Sequence, residues 1–266
     1  MLNKLSKLTV ISGLLLGFCS CAWAEASDTI WPSIKESFFP KKTIEDAPFI
    51  KITAPRRAES GAQVPFAISI DQTQHEANAI KKVYVIVDAN PIQLAATYYL
   101  TDMLGKFNLE TRIRMETDSF VRVIGETADG KLYMTATSIR AAGGCGGTVD
   151  GTDDSAMRAA AGKIKMNVKS PVVLGTATPA VFMIKHPMRT GLQRDLVSQG
   201  FMPAFYIQKA AFTYNNKPLF NVDFGVGTSE NPYLHFDFIP DAPGKLAVKA
   251  VDNEGKSFEH QIDVSN

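Results

Sequence analysis

Cysteine is scarce in this sequence. Three occur in 266 residues, Cys19, Cys21 and Cys145. An excess of charge of one sign is also missing: 28 Lys and Arg stand against 27 Asp and Glu, a formal net charge of +1. No basic run with interleaved aromatics appears, so nucleic acid is not an expected partner, nor is an anionic membrane surface. Long hydrophobic runs are lacking too. The only candidate, Leu8 to Phe18, is about half the length a helix needs to cross a bilayer. Gly-x-Ser-x-Gly, His-Glu-x-x-His and phosphate-loop patterns are absent, which leaves no motif for a catalyst.

The N-terminal segment has the layout of a signal peptide. Lys4 and Lys7 precede the apolar run, and Ala22-Trp23-Ala24 supplies small residues where a peptidase reads them. Cleavage is expected after Ala24, with the mature chain in the periplasm. An uncleaved anchor and a lipoprotein signal are the alternatives, and the residues before Cys19 and Cys21 suit lipid attachment poorly. With residues 1–24 removed, Cys145 is the one cysteine left. An odd thiol in an oxidising compartment either pairs between molecules, giving a Cys145-linked homodimer, or stays available for chemistry.

Cys145 stands in Gly143-Gly144-Cys145-Gly146-Gly147. Glycines on both sides lower the backbone's commitment to helix or strand. The stretch 141–163 around it is rich in Gly, Ala and small polar residues and reads as a flexible linker, with a brief helix possible between Asp153 and Ala161. About 22 such residues reach about 70 Å when extended and about 25 Å on average as a coil.

Before the linker, residues 25–140 begin with a short amphipathic helix, Asp28 to Phe39, in which Ile30, Ile34 and Phe38 share a face and Pro40 follows. Period-two patterns then predict strands at Phe49–Ile52, Val64–Ile70, Val83–Val87, Ala95–Leu100, Glu110–Glu116, Phe120–Ile124 and Lys131–Ile139, the last two joined by Asp129-Gly130. Val83–Val87 is apolar throughout and reads as buried on both faces. This is the pattern of a small antiparallel sandwich. Asp88, Asp102 and Asp118 fall at strand ends, where turn geometry favours Asp. His75 sits in a polar loop.

Residues 164–266 repeat the pattern. Strands are predicted at Ile164–Val168, Val181–Ile184, Met202–Phe212, Leu219–Phe224, Leu234–Phe238, Leu246–Val251 and Ser257–Val264, with turns at 213–218 and 252–255. The length suits an immunoglobulin-like sandwich. The expectation is therefore an all-β chain of two such domains, 25–140 and 164–266, joined by the Gly-rich linker. His186, His235 and His260 lack companion ligands at metal-site spacing, so no metal and no cofactor are expected.

Taken together, Gly143–Gly147, His186-Pro187-Met188-x-Thr190-Gly191, Phe212-Thr-Tyr-Asn215-x-Lys217-x-Leu-Phe220 and Asn231-Pro232-Tyr233-Leu234 resemble known sequences. The first resembles the motif that ends SoxY, the sulfur-carrying subunit of the thiosulfate-oxidising Sox system. The others resemble its partner SoxZ. The whole resembles a SoxYZ fusion of the type associated with quinoprotein dehydrogenases. Here the motif is internal, not terminal. The resemblance implies immunoglobulin-like domains and no enzyme activity. It makes Cys145 the covalent attachment point for sulfur intermediates and Gly143, Gly144, Gly146 and Gly147 its arm. It implies periplasmic redox enzymes as partners, of the Sox type or a quinoprotein dehydrogenase with its cytochrome. The alternative is a non-catalytic binding module for such a dehydrogenase, with Cys145 incidental.

Overall fold

A computed structural model describes residues 27–74, 76, 78–143, 146, 148–149 and 154–265. The first half contains helix α1 (Trp31–Phe38) and strands β1 (Ile44–Asp46), β2 (Ile50–Thr53), β3 (Val64–Thr73), β4 (Ile80–Val87), β5 (Leu94–Leu100), β6 (Lys106–Ile113), β7 (Ser119–Thr127) and β8 (Leu132–Ile139). Two short elements follow, β9 (Thr148–Val149) and helix α2 (Asp154–Ala160). The second half contributes β10 (Ile164–Val168), β11 (Thr178–Ile184), β12 (Arg194–Asp195), β13 (Ile207–Tyr214), β14 (Lys217–Phe224), β15 (Tyr233–Phe238), β16 (Gly244–Asp252) and β17 (Ser257–Val264).

The alternations seen in the sequence lie where apolar side chains must face a core. Along β3, Val64, Phe66, Ile68 and Ile70 are buried and the residues between them are not. β4 is buried on both faces at Val85, Ile86 and Val87 because α1 covers the outer one. Ile34 and Phe39 pack there with Ile86, Ile124 and Leu132, while Val85 and Val87 belong to the main core. An ion pair seats α1. Arg122 lies under Trp31, its guanidinium 4.1 Å from the ring centroid. Its Nε donates to both Asp88 carboxylate oxygens at 3.0 and 2.9 Å. Asp88 is therefore a buried ion-pair partner, more than a turn residue.

Several elements differ from expectation. The strand predicted at Met202–Phe212 is β13, which begins only at Ile207 and runs to Tyr214, and the two-residue strands β9 and β12 form where none was predicted. The predicted strand Glu110–Glu116 is β6, Lys106–Ile113, shifted toward the N-terminus. Its inward residues are Phe107, Leu109, Thr111 and Ile113. β1, which pairs in parallel with β8, carries no periodic signal in its three residues. The turn placed at 213–218 is tighter. Asn215 and Asn216, both with positive φ, join Tyr214 directly to Lys217.

The strands form two large sheets, of order β1-β8-β7-β4-β5-β14-β13-β16-β17 and β10-β11-β15-β6-β3-β2. Both run through both halves. β5 pairs antiparallel with β14 over Ala96–Leu100 and Phe220–Phe224. β6 pairs with β15 at Leu109–Phe236 and Glu110–His235. The edges that two separate sandwiches would expose are thereby paired with each other. One continuous core fills the space between the sheets, and Leu100, Phe107 and Leu109 from the first half join Phe212, Phe220 and Phe236 from the second. Phe212 stacks on Phe220 at 4.5 Å, and Phe236 meets Phe220 edge-on at 4.9 Å.

Candidate functional site: the base of the glycine stretch

After β8 the chain leaves the sandwich along a defined path. Arg140 N–H donates to Arg56 O at 2.9 Å and Arg140 O accepts from Ala58 N–H at 2.8 Å. Asp118 accepts the Ala141 N–H at 2.9 Å. Gly143 N–H then donates to Glu116 O at 2.8 Å. The chain passes close over Gly61. A Cβ there would lie 2.4 Å from both Ala142 O and Met115 O, so only glycine allows this crossing. Gly143 has φ +74 with open space around it, a backbone state that glycine adopts without strain.

Of the residues assigned to the arm, Gly143 and Gly146 are described; Gly144, Cys145 and Gly147 lie outside the described residues, as do His75 and the segment read as a signal peptide. Gly146 is held by the same residue as Gly143, its N–H donating to Glu116 Oε2 at 3.1 Å.

Glu116 is in turn fixed from behind. Its N–H donates to Asn90 Oδ1 at 2.9 Å, and buried Asn90 donates through Nδ2 to Arg114 O at 2.8 Å. The Arg114 side chain, also buried, reaches into the second half. Nη1 donates to Met188 O, and Nη2 to Pro187 O at 3.3 Å. Met188 adopts φ +48 there. Its N–H donates to His186 Nδ1 at 3.2 Å. His186 and Asn231 bond reciprocally: His186 N–H to Asn231 Oδ1 at 3.0 Å, Asn231 N–H to His186 O at 2.8 Å. A string of hydrogen bonds thus runs from the second half to both described arm glycines.

His186 is buried against Phe205, ring centroids 4.3 Å apart. Burial, helped by the nearby Arg158 guanidinium, lowers its pKa to about 4. The imidazole is neutral at physiological pH, with Nδ1 as acceptor. His235 faces outward onto Glu110 at 3.1 Å, as its place in the alternation implies.

The stretch 141–163 is tethered on its far side as well. β9 pairs in parallel with β12. α2 falls within the predicted 153–161 and is held by charge. Asp154 contacts Arg158 at 2.8 Å and Arg189 at 3.0 Å, and Arg158 reaches Glu254 at 2.8 Å. The Arg158 guanidinium covers the Phe205 ring at 4.1 Å. Gly162 N–H donates to Lys185 O at 2.8 Å. Small and acidic composition suggested a segment unable to order itself. The described residues obtain their order from partners outside the segment: Glu116, Asp118, Arg189 and Glu254.

Glu116, Asn90 and Arg114 carry no motif. Glu116 had only marked the end of a predicted strand. Among the described residues no group of three His, Cys, Asp or Glu is placed to hold a metal ion. No described helix is long and apolar enough to cross a membrane.

Comparison with known proteins adds to this geometry. The family profile Sulfur oxidation protein SoxY matches residues 34–145, and Sulphur oxidation protein SoxZ matches residues 165–263. No curated protein matches the chain significantly. Among solved structures, the sulfur carrier protein SoxY from Chlorobium limicola f thiosulfatophilum is similar at 20% identity and TM-score 0.35, over 42% of this chain and 91% of that one. A superoxide reductase (neelaredoxin) from Ignicoccus hospitalis matches at 13% identity and TM-score 0.30, over 35% of this chain and 79% of that one. The family assignment rests on the two profiles. SoxY and SoxZ are sulfur carrier proteins, not catalysts, and they work with other Sox redox enzymes. The chain belongs to this sulfur-oxidation carrier family, as a SoxY unit and a SoxZ unit fused in tandem.

Proposed function

We propose that the protein is an exported carrier that holds sulfur-containing intermediates covalently on Cys145. The observation that supports this most is the treatment of the glycine stretch. Its described glycines, Gly143 and Gly146, hang from one fixed residue, Glu116, in a chain whose two halves match a carrier family. Slim neighbours let a thiol enter a narrow partner channel. The signal-peptide reading supports a periplasmic location, with cleavage after Ala24 leaving Cys145 as the sole cysteine.

Joining the thiol to a second thiol-level sulfur removes two electrons and two protons. Neither sulfur supplies the oxidant, so a redox partner must accept the electrons. That partner is a Sox-type enzyme, or a quinoprotein dehydrogenase with its cytochrome. Intact mass spectrometry of protein isolated from the periplasm without reductant tests the reading. A reducible sulfur adduct on Cys145 is expected. Unmodified thiol, or a simple Cys145-linked dimer and nothing else, would overturn it. Unaltered function in cells carrying Cys145→Ser would favour the accessory binding module instead.

A further inference from the structure

Arg189 carries a charge that the fold buries and only half pairs. The residue is 2% exposed. Its Nε and Nη2 form the side-on fork of the guanidinium, the edge that receives two oxygens of one oxyanion. Both atoms are buried, and neither has an aligned hydrogen bond among the described residues. One oxygen stands near, Asp154 Oδ1 at 3.0 Å from Nη2, and it too lacks an aligned bond. Arg122 shows what a filled fork looks like in the same protein. Its Nε donates to both oxygens of Asp88 at 3.0 and 2.9 Å, and its Nη2 to one of them at 2.7 Å. A buried guanidinium without such partners is costly to keep.

The fork is half filled because of how α2 is held. Asp154 gives its other oxygen, Oδ2, to Arg158 Nε at 2.8 Å. Arg158 Nη1 is in turn gripped by both Glu254 oxygens at 2.8 and 3.0 Å. The Asp154 carboxylate is thus shared between two arginines and cannot face Arg189 squarely. α2 itself is lightly attached. Its 7 residues include no buried one, and a helix this short has little stability of its own. Its described ties are these ion pairs and the stacking of Arg158 on Phe205. Downstream it ends at Gly162, whose φ is +90 and whose N–H is pinned to Lys185 O at 2.8 Å. That residue is a fixed point about which the helix can lift.

We propose that Arg189 is the base of a binding site for a small dissolved oxyanion, and that α2 is its lid, with the Asp154 carboxylate in the ligand's place while the lid is closed. An ion of the sulfate type brings two oxygens to the fork where Asp154 brings one. Its entry displaces Asp154 and loosens α2, which then keeps only the Arg158 contacts with Glu254 and Phe205. The ligand must be small. Arg189 and Phe205 exchange backbone hydrogen bonds in both directions, at 2.7 and 3.1 Å, so this segment cannot carry the guanidinium outward to a partner's surface. The inference goes beyond the carrier reading and uses no residue of the glycine stretch.

The test titrates the full chain with inorganic sulfate, sodium chloride keeping the ionic strength constant. It follows the Arg189 Nε–H resonance and the hydrogen exchange of the α2 amides. A saturable shift of the resonance is expected, together with exchange at Asp154–Ala160 at least about threefold faster than in chloride alone. A shift that never saturates, or one that chloride reproduces, would reduce the effect to screening and overturn the site. Asp154→Asn keeps the shape of the side chain and removes the competing charge. Sulfate should bind this variant about twofold to fivefold more tightly than wild type. Equal or weaker binding would show that Asp154 does not stand in the ligand's place. Arg189→Lys keeps the charge and loses the fork, so its α2 amides should no longer respond to sulfate beyond their response to chloride. A response equal to that of wild type would sink the assignment to Arg189. If this variant does not fold, the wild-type and Asp154→Asn titrations decide without it.

Discussion

Arg114 of the SoxY unit donates its guanidinium to the carbonyl of Met188 in the SoxZ unit, inside the molecule. The contact joins the halves at a point where neither sheet does. Met188 adopts a positive φ to present that carbonyl, and His186 and Asn231 hold the turn on which it sits. The motifs by which the second half resembles SoxZ are therefore, at these positions, the seat for an arginine from the first half. That arginine also supports the residue that holds the arm, through Asn90.

Removing this lock should be costly. Arg114→Ala leaves the Met188 and Pro187 carbonyls without their donor, and each unsatisfied buried group costs about 1–3 kcal/mol. A loss of about 3 kcal/mol in urea unfolding is the expected outcome. Because both sheets and the core cross the junction, wild type should unfold in one transition. Two resolved transitions would contradict the continuity of the sheets.

Arg122→Met tests the seat of helix α1. The substitution leaves Asp88 with no guanidinium in a site where it is 1% exposed. Stranding one member of a buried pair costs about 3–5 kcal/mol. Trp31, stacked on that guanidinium, should change its fluorescence in the folded variant as well. An unchanged urea midpoint would show that the pair contributes nothing.

Gly61→Ala tests the exit path of the arm. The new methyl would sit 2.4 Å from the carbonyl oxygens of Ala142 and Met115. Two backbone segments would have to separate, and overpacking of this kind costs about 1–3 kcal/mol. The Gly143 amide, which bonds to Glu116 beside this crossing, should lose protection from hydrogen exchange. Retained protection at Gly143 would mean that the path does not depend on Gly61.

His186 makes stability depend on pH. Burial is the main cause of its lowered pKa, with Arg158 and Lys256 acting in the same direction and Glu254 opposing. In the unfolded chain the imidazole takes up a proton below about pH 6.5; in the folded protein it stays neutral down to about 4. The unfolded state therefore binds the proton first as pH falls. The contribution is fully present above 6.5, declines between 6.5 and 4, and is gone below 4, for a total of up to about 3 kcal/mol. His186→Asn keeps an acceptor for the Met188 N–H and cannot titrate. Its stability should be flatter than wild type across that window in urea titrations at fixed pH. Parallel curves would rule out His186 as the source.

The strands could be read from the chain because burial of one face imposes period two locally. Val64, Phe66, Ile68 and Ile70 declare β3 without reference to any other segment. β1 was invisible because three residues hold too few periods, and β6 was displaced because Glu110 and Thr111 interrupt its apolar run. Ala141–Gly147 was conspicuous by composition, since four glycines around one cysteine are a strictly local feature.

What the sequence by itself determined is a β-rich chain, a short amphipathic helix, and a lone thiol among glycines between two strand-rich halves. The tertiary structure alone decided that the halves share both sheets, because strand edges select partners by geometry that leaves no mark on periodicity. It alone decided that Glu116 meets Gly146, a hydrogen bond across 30 residues of chain. A carboxylate and an amide that far apart come together only when the path between them folds, and no spacing along the chain records the meeting.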